Sequence, residues 1–215
     1  LSKYCDVIEV GVSFNTSTSD SSIIMGANDR AIKSGARTEK IFQLIREAKK
    51  EITSDTAFVT MGYLNQIHVY GIDRYIKDCK KSAVDGCIVV DSNNESPEDE
   101  LIFKGLTKND IAFIKLIAPT NDSAYIKQSL KKCSSWVYIV SYAGVTGSKD
   151  VNLDNVKKLS KMIRTQSKIP IGVGFEIKSQ DEVKKVSRLA DLVVCGSSIV
   201  NKIKEGNQNG LSNHD

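Results

Sequence analysis

Seven short, mostly apolar runs recur along the chain, each followed by a stretch with helical spacing. The runs are "CDVIEVGV" (5–12), "AFVTMGY" (57–63), "GCIVVD" (86–91), "IAFIKLIA" (111–118), "WVYIVSY" (136–142), "PIGVGF" (170–175) and "DLVVCGS" (191–197). Their length and β-branched content mark them as strands. Between them, "TEKIFQLIREAKKEI" (38–52) sets Ile41, Leu44, Ile45, Ala48 and Ile52 on one helical face, with Thr38 placed to cap it. Segments 72–83, 122–133, 153–164 and 180–190 behave alike, a weaker helix covers 97–106, and a last one begins near Ser198. Repeated β-α units imply a parallel sheet, and strands apolar on both faces imply helices on one side and a second apolar layer on the other. A doubly wound open sheet satisfies this pattern. Seven uninterrupted units fit better an α/β fold of the (β/α)8 barrel type that lacks one unit. The chain enters almost directly into a strand, so the first β-α unit is the one expected to be missing. The expectation is then a single incomplete barrel domain over 1–206, with an open seam, and a polar tail over 207–215, "NQNGLSNHD".

Composition narrows the function classes. Of 215 residues, 40% are hydrophobic and 26% charged, as in an ordinary globular protein. No apolar run approaches the roughly 20 residues of a membrane-spanning helix, and the first residues show no basic region followed by an apolar one. The formal charge of +4 is spread over helices that also carry acids, which argues against a nucleic-acid surface. Five cysteines, Cys5, Cys79, Cys87, Cys133 and Cys195, form no C-x-x-C pair and read as reduced thiols of a cytoplasmic protein. With His68 and His214 the only histidines, no histidine-rich metal site is expected.

In a barrel, chemistry sits at the C-terminal strand ends and the loops that follow. Glu9, Asn65, Asp91, Tyr138 and Ser141 occupy such positions, and Asp20 lies in the loop after 5–12. Glu9 stands within an apolar strand, where a carboxylate is costly unless paired, solvated or used. A barrel interior raises the pKa of such an acid, which suits proton transfer near neutrality. Glu9 and Asp20 are therefore the candidate acid–base pair. The structural alternative is a rim salt bridge for Glu9 and a turn role for Asp20. Three glycine-bearing loops, "GVTGSKD" (144–150), "GVGFEIKS" (172–179) and "CGSSIV" (195–200), follow three consecutive strands. Their backbone N–H groups, and the helix start near Ser197, suit a phosphate.

These segments together resemble the α subunit of tryptophan synthase. "DVIEVGVSFNTSTSDSSII" is similar to that family's D-x-I-E-L-G-x-P-F-S-D-P-x-A-D-G-P, and "MGYLNQIHVYGIDRY" to its M-G-Y-x-N-P-I-x-x-Y-G. "LIAPTNDSAYI", "VYIVSYAGVTGSK", "IPIGVGFEIKS" and "VVCGSSIV" match later segments in order. The resemblance implies a barrel whose first strand precedes residue 1. It implies retro-aldol cleavage of indole-3-glycerol phosphate to indole and glyceraldehyde 3-phosphate. Glu9 would be the acid–base group at indole C3, and Asp20 would hold the indole N–H. Tyr138 would line the site, and Thr146, Gly147, Phe175, Gly196 and Ser197 would bind substrate and its phosphate. It implies no cofactor or metal in this chain, and a partner β subunit carrying pyridoxal phosphate in an α2β2 assembly.

The departures form a pattern too. The family's P-F-S-D-P is Ser13, Phe14, Asn15, Thr16 and Ser17 here, and its D-G-P is Asp20, Ser21 and Ser22. Gln66 replaces a proline, Ser92 and Asn93 replace Leu-Pro, Tyr142 replaces an arginine, and Glu176 replaces a phosphate-binding glycine. A carboxylate at 176 facing the phosphate opposes binding. The residues thus leave open an active lyase, possessing reduced activity, and an impaired subunit kept for its β partner. Another phosphate-binding barrel, or a truncated product that does not fold alone, also remains compatible.

Overall fold

The structure is a computed structural model that describes residues 1–15, 20–140, 153–174 and 177–208. Its strands are β1 (Val7–Gly11), β2 (Ala57–Gly62), β3 (Gly86–Val89), β4 (Ala112–Ile114), β5 (Leu116–Ile117), β6 (Val137–Val140), β7 (Ile171–Gly174) and β8 (Leu192–Val193). The helices are α1 (Ser22–Lys33), α2 (Thr38–Glu51), α3 (Leu64–Tyr70), α4 (Ile72–Lys81), α5 (Pro97–Lys108), α6 (Ser123–Lys132), α7 (Leu153–Gln166), α8 (Gln180–Val186) and α9 (Ser197–Gln208). All pairings are parallel, in the orders β1-β2-β3-β4 and β5-β6-β7-β8.

The run expected as one strand over 111–118 serves both sheets. Residues 112–114 pair with β3, residues 116–117 pair with β6, and the Lys115 carbonyl accepts the Tyr138 N–H at 2.9 Å. The two ladders are therefore one curved ribbon that changes neighbours at Lys115. Alternate residues of every strand face opposite ways. One set, including Val7, Val59, Met61, Ile88, Ala112, Ile114, Leu116, Trp136, Tyr138, Leu192 and Val194, packs into a single cluster. Val7 from the first strand and Leu192 from the last both pack against this cluster, so the ribbon curves around its own interior, as in a barrel. The opposite set packs under the helices. Phe58, Cys87, Val89 and Phe113 lie against α2, α4 and α5, and Val137, Ile139, Ile171 and Val173 against α6, α7 and α8.

Local chemistry explains the helix starts. Ser96 accepts from the Asp99 N–H, Pro97 follows it, and Glu98, Asp99 and Glu100 complement the positive end of α5. Ser179 and Glu182 form a reciprocal capping box on α8, and Asp122 caps α6. On α2 the expectation needs correction at two points. Its cap position is Arg37, without a side-chain bond, and Thr38 is already helical. Leu44 is 55% exposed, while Phe42 takes the buried place beside Ile41 and Ile45. Two helices escape the periodicity reading: α1, which buries none of its side chains fully, and α3, which ends after seven residues at Gly71 with φ 93°. Residues 207 and 208, assigned to the tail, are the last two of α9, and 209–215 lie outside the described residues.

Cys79, Cys87 and Cys133 are buried and Cys5 and Cys195 half-buried, all as free thiols. Among the described residues no helix is long and apolar enough to cross a membrane, and no three metal-ligating side chains converge.

Candidate active site at the strand C-termini

Glu9 shares the inward parity of Val7 and Gly11 and sits in register with inward-facing Val59. Its carboxyl therefore points into the ring. Toward the strand end, a side-chain carbon on Gly11 would meet nothing within 4 Å, so the space above Glu9 is open. Protein crowds the carboxyl from most directions, yet water still reaches the residue from that open end. Desolvation by the surrounding protein, and then the negative charge of Asp20, push its pKa up from 4.5 to about 7. Glu9 is itself exposed to solvent at that end, which moderates the desolvation. The rim-lysine alternative does not describe Glu9: among the described residues, the charge that acts on it is an anion's.

Asp20 enters from the loop side. Its Oδ2 accepts from Asn28 Nδ2 of α1, eight residues on, at 3.2 Å. The next residue, Ser21, caps α1 by accepting from the Ile24 N–H, and its Oγ lies 2.8 Å from Ser197 Oγ at the start of α9. That contact bridges the loops after the first and last strands and brings Asp20 to the same end of the barrel as Gly196 and Ser197.

Tyr138 completes the inner wall. It is buried, and its hydroxyl is held neutral well above the usual tyrosine range, first by burial, then by the charges of Glu9 and Cys195. Its ring lies across β7, where a Cβ on Gly174 would come within 2.7 Å of Cε2 and Cζ. Glycine at 174 is what admits the ring. Trp136 uses Gly172 the same way, with a Cβ there falling 2.6 Å from Cε3.

At the far rim, Gly196 is exposed with open space where a side chain would project, and α9 carries no acid in its first turn. Ser198 Oγ donates to the Ile177 carbonyl at 3.4 Å, which ties the segment after β7 to this helix start. The structure thus brings Glu9, Asp20, Tyr138, Gly196 and Ser197 to one end of the barrel. Ser141, Tyr142, Thr146, Gly147, Phe175 and Glu176 lie outside the described residues. Asp91 and Asn65 serve elsewhere: Asp91 Oδ1 accepts the Leu64 N–H at 2.6 Å and so caps α3, and Asn65 is exposed on that helix. Ser21 and Gln66 are the contributors that sequence reasoning missed. Ser21 was findable as a cap residue ahead of α1; Gln66 takes the Tyr63 N–H locally, but its contacts to Val12 and Ser13 cross more than fifty positions and leave no local signal.

A parallel α/β barrel with a pKa-raised acid facing a second carboxylate at its open strand ends defines a class: barrels whose strand ends are built for proton-transfer chemistry. The model of the family "Tryptophan synthase alpha chain" matches residues 1–214. The chain belongs to that family. Solved structures agree. It is similar to a Legionella pneumophila tryptophan synthase subunit alpha, with 26% identity and TM-score 0.84 over 97% of this chain and 76% of that one. A Campylobacter jejuni subunit alpha shows 30% identity and TM-score 0.78 over 96% and 81%. A Mycobacterium tuberculosis tryptophan synthase structure shows 25% identity and TM-score 0.84 over 94% and 75%.

Proposed function

We propose that the chain is a carbon–carbon lyase that cleaves indole-3-glycerol phosphate to indole and glyceraldehyde 3-phosphate. The observation that carries this is the placement of Glu9, its pKa raised to about 7, facing the anionic Asp20 inside the barrel. Such a group is part protonated near neutrality, so it can both give and take a proton. In the proposed reaction Glu9 protonates indole C3, and Asp20 accepts the indole N–H and stabilises the cation that forms. The Glu9 carboxylate, having given up its proton, then takes the proton of the hydroxyl on the carbon attached to C3, and the C–C bond breaks. The bonding electrons return to the ring, restoring indole, and the other carbon becomes the aldehyde of glyceraldehyde 3-phosphate. Tyr138 packs against the substrate. Gly196 and Ser197, with Thr146, Gly147 and Phe175, hold the phosphate through backbone and hydroxyl donors. No cofactor in this chain is needed for these steps.

Membership in this family supports a β subunit as partner. We assign it the pyridoxal phosphate chemistry that consumes indole, in an α2β2 assembly in the cytoplasm. The test is indole release from indole-3-glycerol phosphate, alone and with a β subunit added, against Glu9→Gln. Turnover lost in the variant supports the reading; equal turnover in both proteins sinks it.

A further inference from the structure

We propose that Gln66 is a positioning residue for Asp20: its side-chain amide pins the chain where it leaves β1 and so sets how the acid-bearing segment stands against Glu9. The inference rests on the lyase reading above.

The geometry is specific. Gln66 Nε2 donates to the Val12 carbonyl at 3.2 Å and to the Ser13 carbonyl at 2.9 Å. Its Oε1 accepts the Tyr63 N–H at 3.0 Å, which decides which end of the amide faces which partner. All three polar positions are thus engaged in a half-buried setting. The base of the clamp is rigid, because the Asp91 carboxylate holds the Leu64 N–H in the same helical turn. The clamp is close, because Gly62 leaves room: a Cβ there would lie 3.2 Å from Gln66 Oε1 and 3.3 Å from Val12 Cβ. Phe14 adds a ring contact to Tyr63 at 5.1 Å between centroids.

What is clamped is the backbone that departs from the strand carrying Glu9. The Val12 N–H makes the last ladder bond, to the Met61 carbonyl at 2.8 Å. Beyond it no further ladder bond involves Ser13 among the described residues, and the Gln66 amide takes over. Asp20 follows Ser13 by seven positions and is anchored on its far side by Asn28 and by the Ser21–Ser197 contact. Gln66 thus anchors Ser13 on the near side of Asp20, as Asn28 and the Ser21–Ser197 contact anchor it on the far side. A proline at this position, as in the pattern the sequence resembles, carries no side-chain donor and could not do this. The polar group at 66 offsets, through side-chain bonds, part of the stiffness forgone where Ser13 stands in place of a proline.

Gln66→Glu tests the claim most sharply, since it keeps size and the acceptor for Tyr63 but removes both donors. Gln66→Met, which removes all three bonds, is the second variant should the first fail to fold. Each is made alone and combined with Asp20→Asn, and two quantities are read: kcat/KM for indole release, and the titration of the Glu9 carboxyl by carbon-13 resonance. Asp20 from the loop and the neutral Tyr138 hydroxyl from β6 are the titratable groups that face Glu9 among the described residues. The expected result is a loss of about tenfold or more in kcat/KM, with the Glu9 titration moving to lower pH as Asp20 swings away. Both effects vanish in the Asp20→Asn background, because a residue that acts through Asp20 has nothing left to position. Unchanged kcat/KM and titration in the single variants overturn the proposal, and so do losses of equal size in both backgrounds. If the parent chain releases no indole, the lyase reading fails, while the Glu9 titration still decides the role of Gln66.

Discussion

Glu9 concentrates the site's chemistry, and its raised pKa has consequences for both rate and stability. Proton delivery to indole C3 needs the acid form, so kcat/KM for indole release is expected to fall as pH rises through about 7, where Glu9 loses its proton. A pH–rate profile checks this, and a flat profile between about pH 6 and about pH 9 counts against Glu9 as the acid. The same shift sets a stability trend. The folded-state pKa lies above the unfolded value, so the folded form is favoured most below 4.5, and that advantage is lost as pH rises to about 7. Glu9→Gln does not titrate. The variant is expected to gain stability relative to the parent as pH rises from about 5 to about 8, read as the difference in urea midpoints. Gly174 makes a second residue-scale case. Gly174→Ala drives a methyl into the Tyr138 ring, and overpacking of this kind costs about 1–3 kcal/mol. A lowered melting temperature together with reduced turnover is expected, since the displaced ring lines the site; an unchanged melting temperature would show that Tyr138 can retreat at no cost.

At the scale of elements, cap chemistry decides where helices begin, and its contributions can be measured singly. Ser179 accepts the Glu182 N–H while Glu182 accepts from the Ser179 and Lys178 N–H groups at 2.9 and 2.7 Å. Ser179→Ala is expected to lower stability by about 1 kcal/mol, seen as a shift of the denaturation midpoint without a change in its slope. Because α8 is a short helix between the segment after β7 and the glycine before α9, the same variant tests whether the proposed phosphate rim depends on it. Caps and periodicity together made most elements legible in the sequence. The amphipathic α2, α4, α6 and α7 carry apolar residues at helical spacing because the barrel wall demands one dry face. α1 was invisible for a physical reason: it fully buries no side chain and pairs mainly with α9, so it needs no strong apolar stripe. α3 was hidden by its brevity, and it is held by Asp91, a residue from another strand's end. On the site, Glu9 stood out because a carboxylate breaks an apolar strand, whereas the Gln66 contacts to Val12 and Ser13 and the Ser21 contact to Ser197 join partners distant in sequence.

At the scale of the whole molecule, the junction at Lys115 holds the ribbon together. The alternation of strands and helices exposed the barrel, but it could not reveal that one run divides between two ladders around a lysine. That lysine points outward under the helices and is 1% exposed, against Asp99 on α5, which is 0% exposed. Lys115 Nζ lies 3.2 Å from Asp99 Oδ2, and Lys132 on α6 approaches the same oxygen at 3.7 Å. Ser92, after β3, contacts both Asp99 and Lys115, and Lys132 donates to the Asn94 carbonyl at 3.0 Å. One buried carboxylate thus ties β3, β5, α5 and α6 where the two sheets share a strand. Burial holds the Lys115 pKa below its ordinary value, and Asp99 opposes that shift. Asp99→Asn removes the opposing charge and leaves a buried cation, at a cost of about 3 kcal/mol, the low end for breaking a buried pair because the amide oxygen still accepts. The sign with pH follows. Without Asp99 the folded state holds the Lys115 proton more weakly than the unfolded chain does, so the variant's deficit is largest at neutral pH and shrinks as pH rises into the lysine range. Lys115→Met added to Asp99→Asn removes the stranded cation and is expected to restore most of the loss. Urea denaturation of the three variants at about pH 7 and about pH 10 checks this. A deficit that the second substitution does not relieve would mean that the barrel depends on this junction for the shape of its packing rather than for its charge.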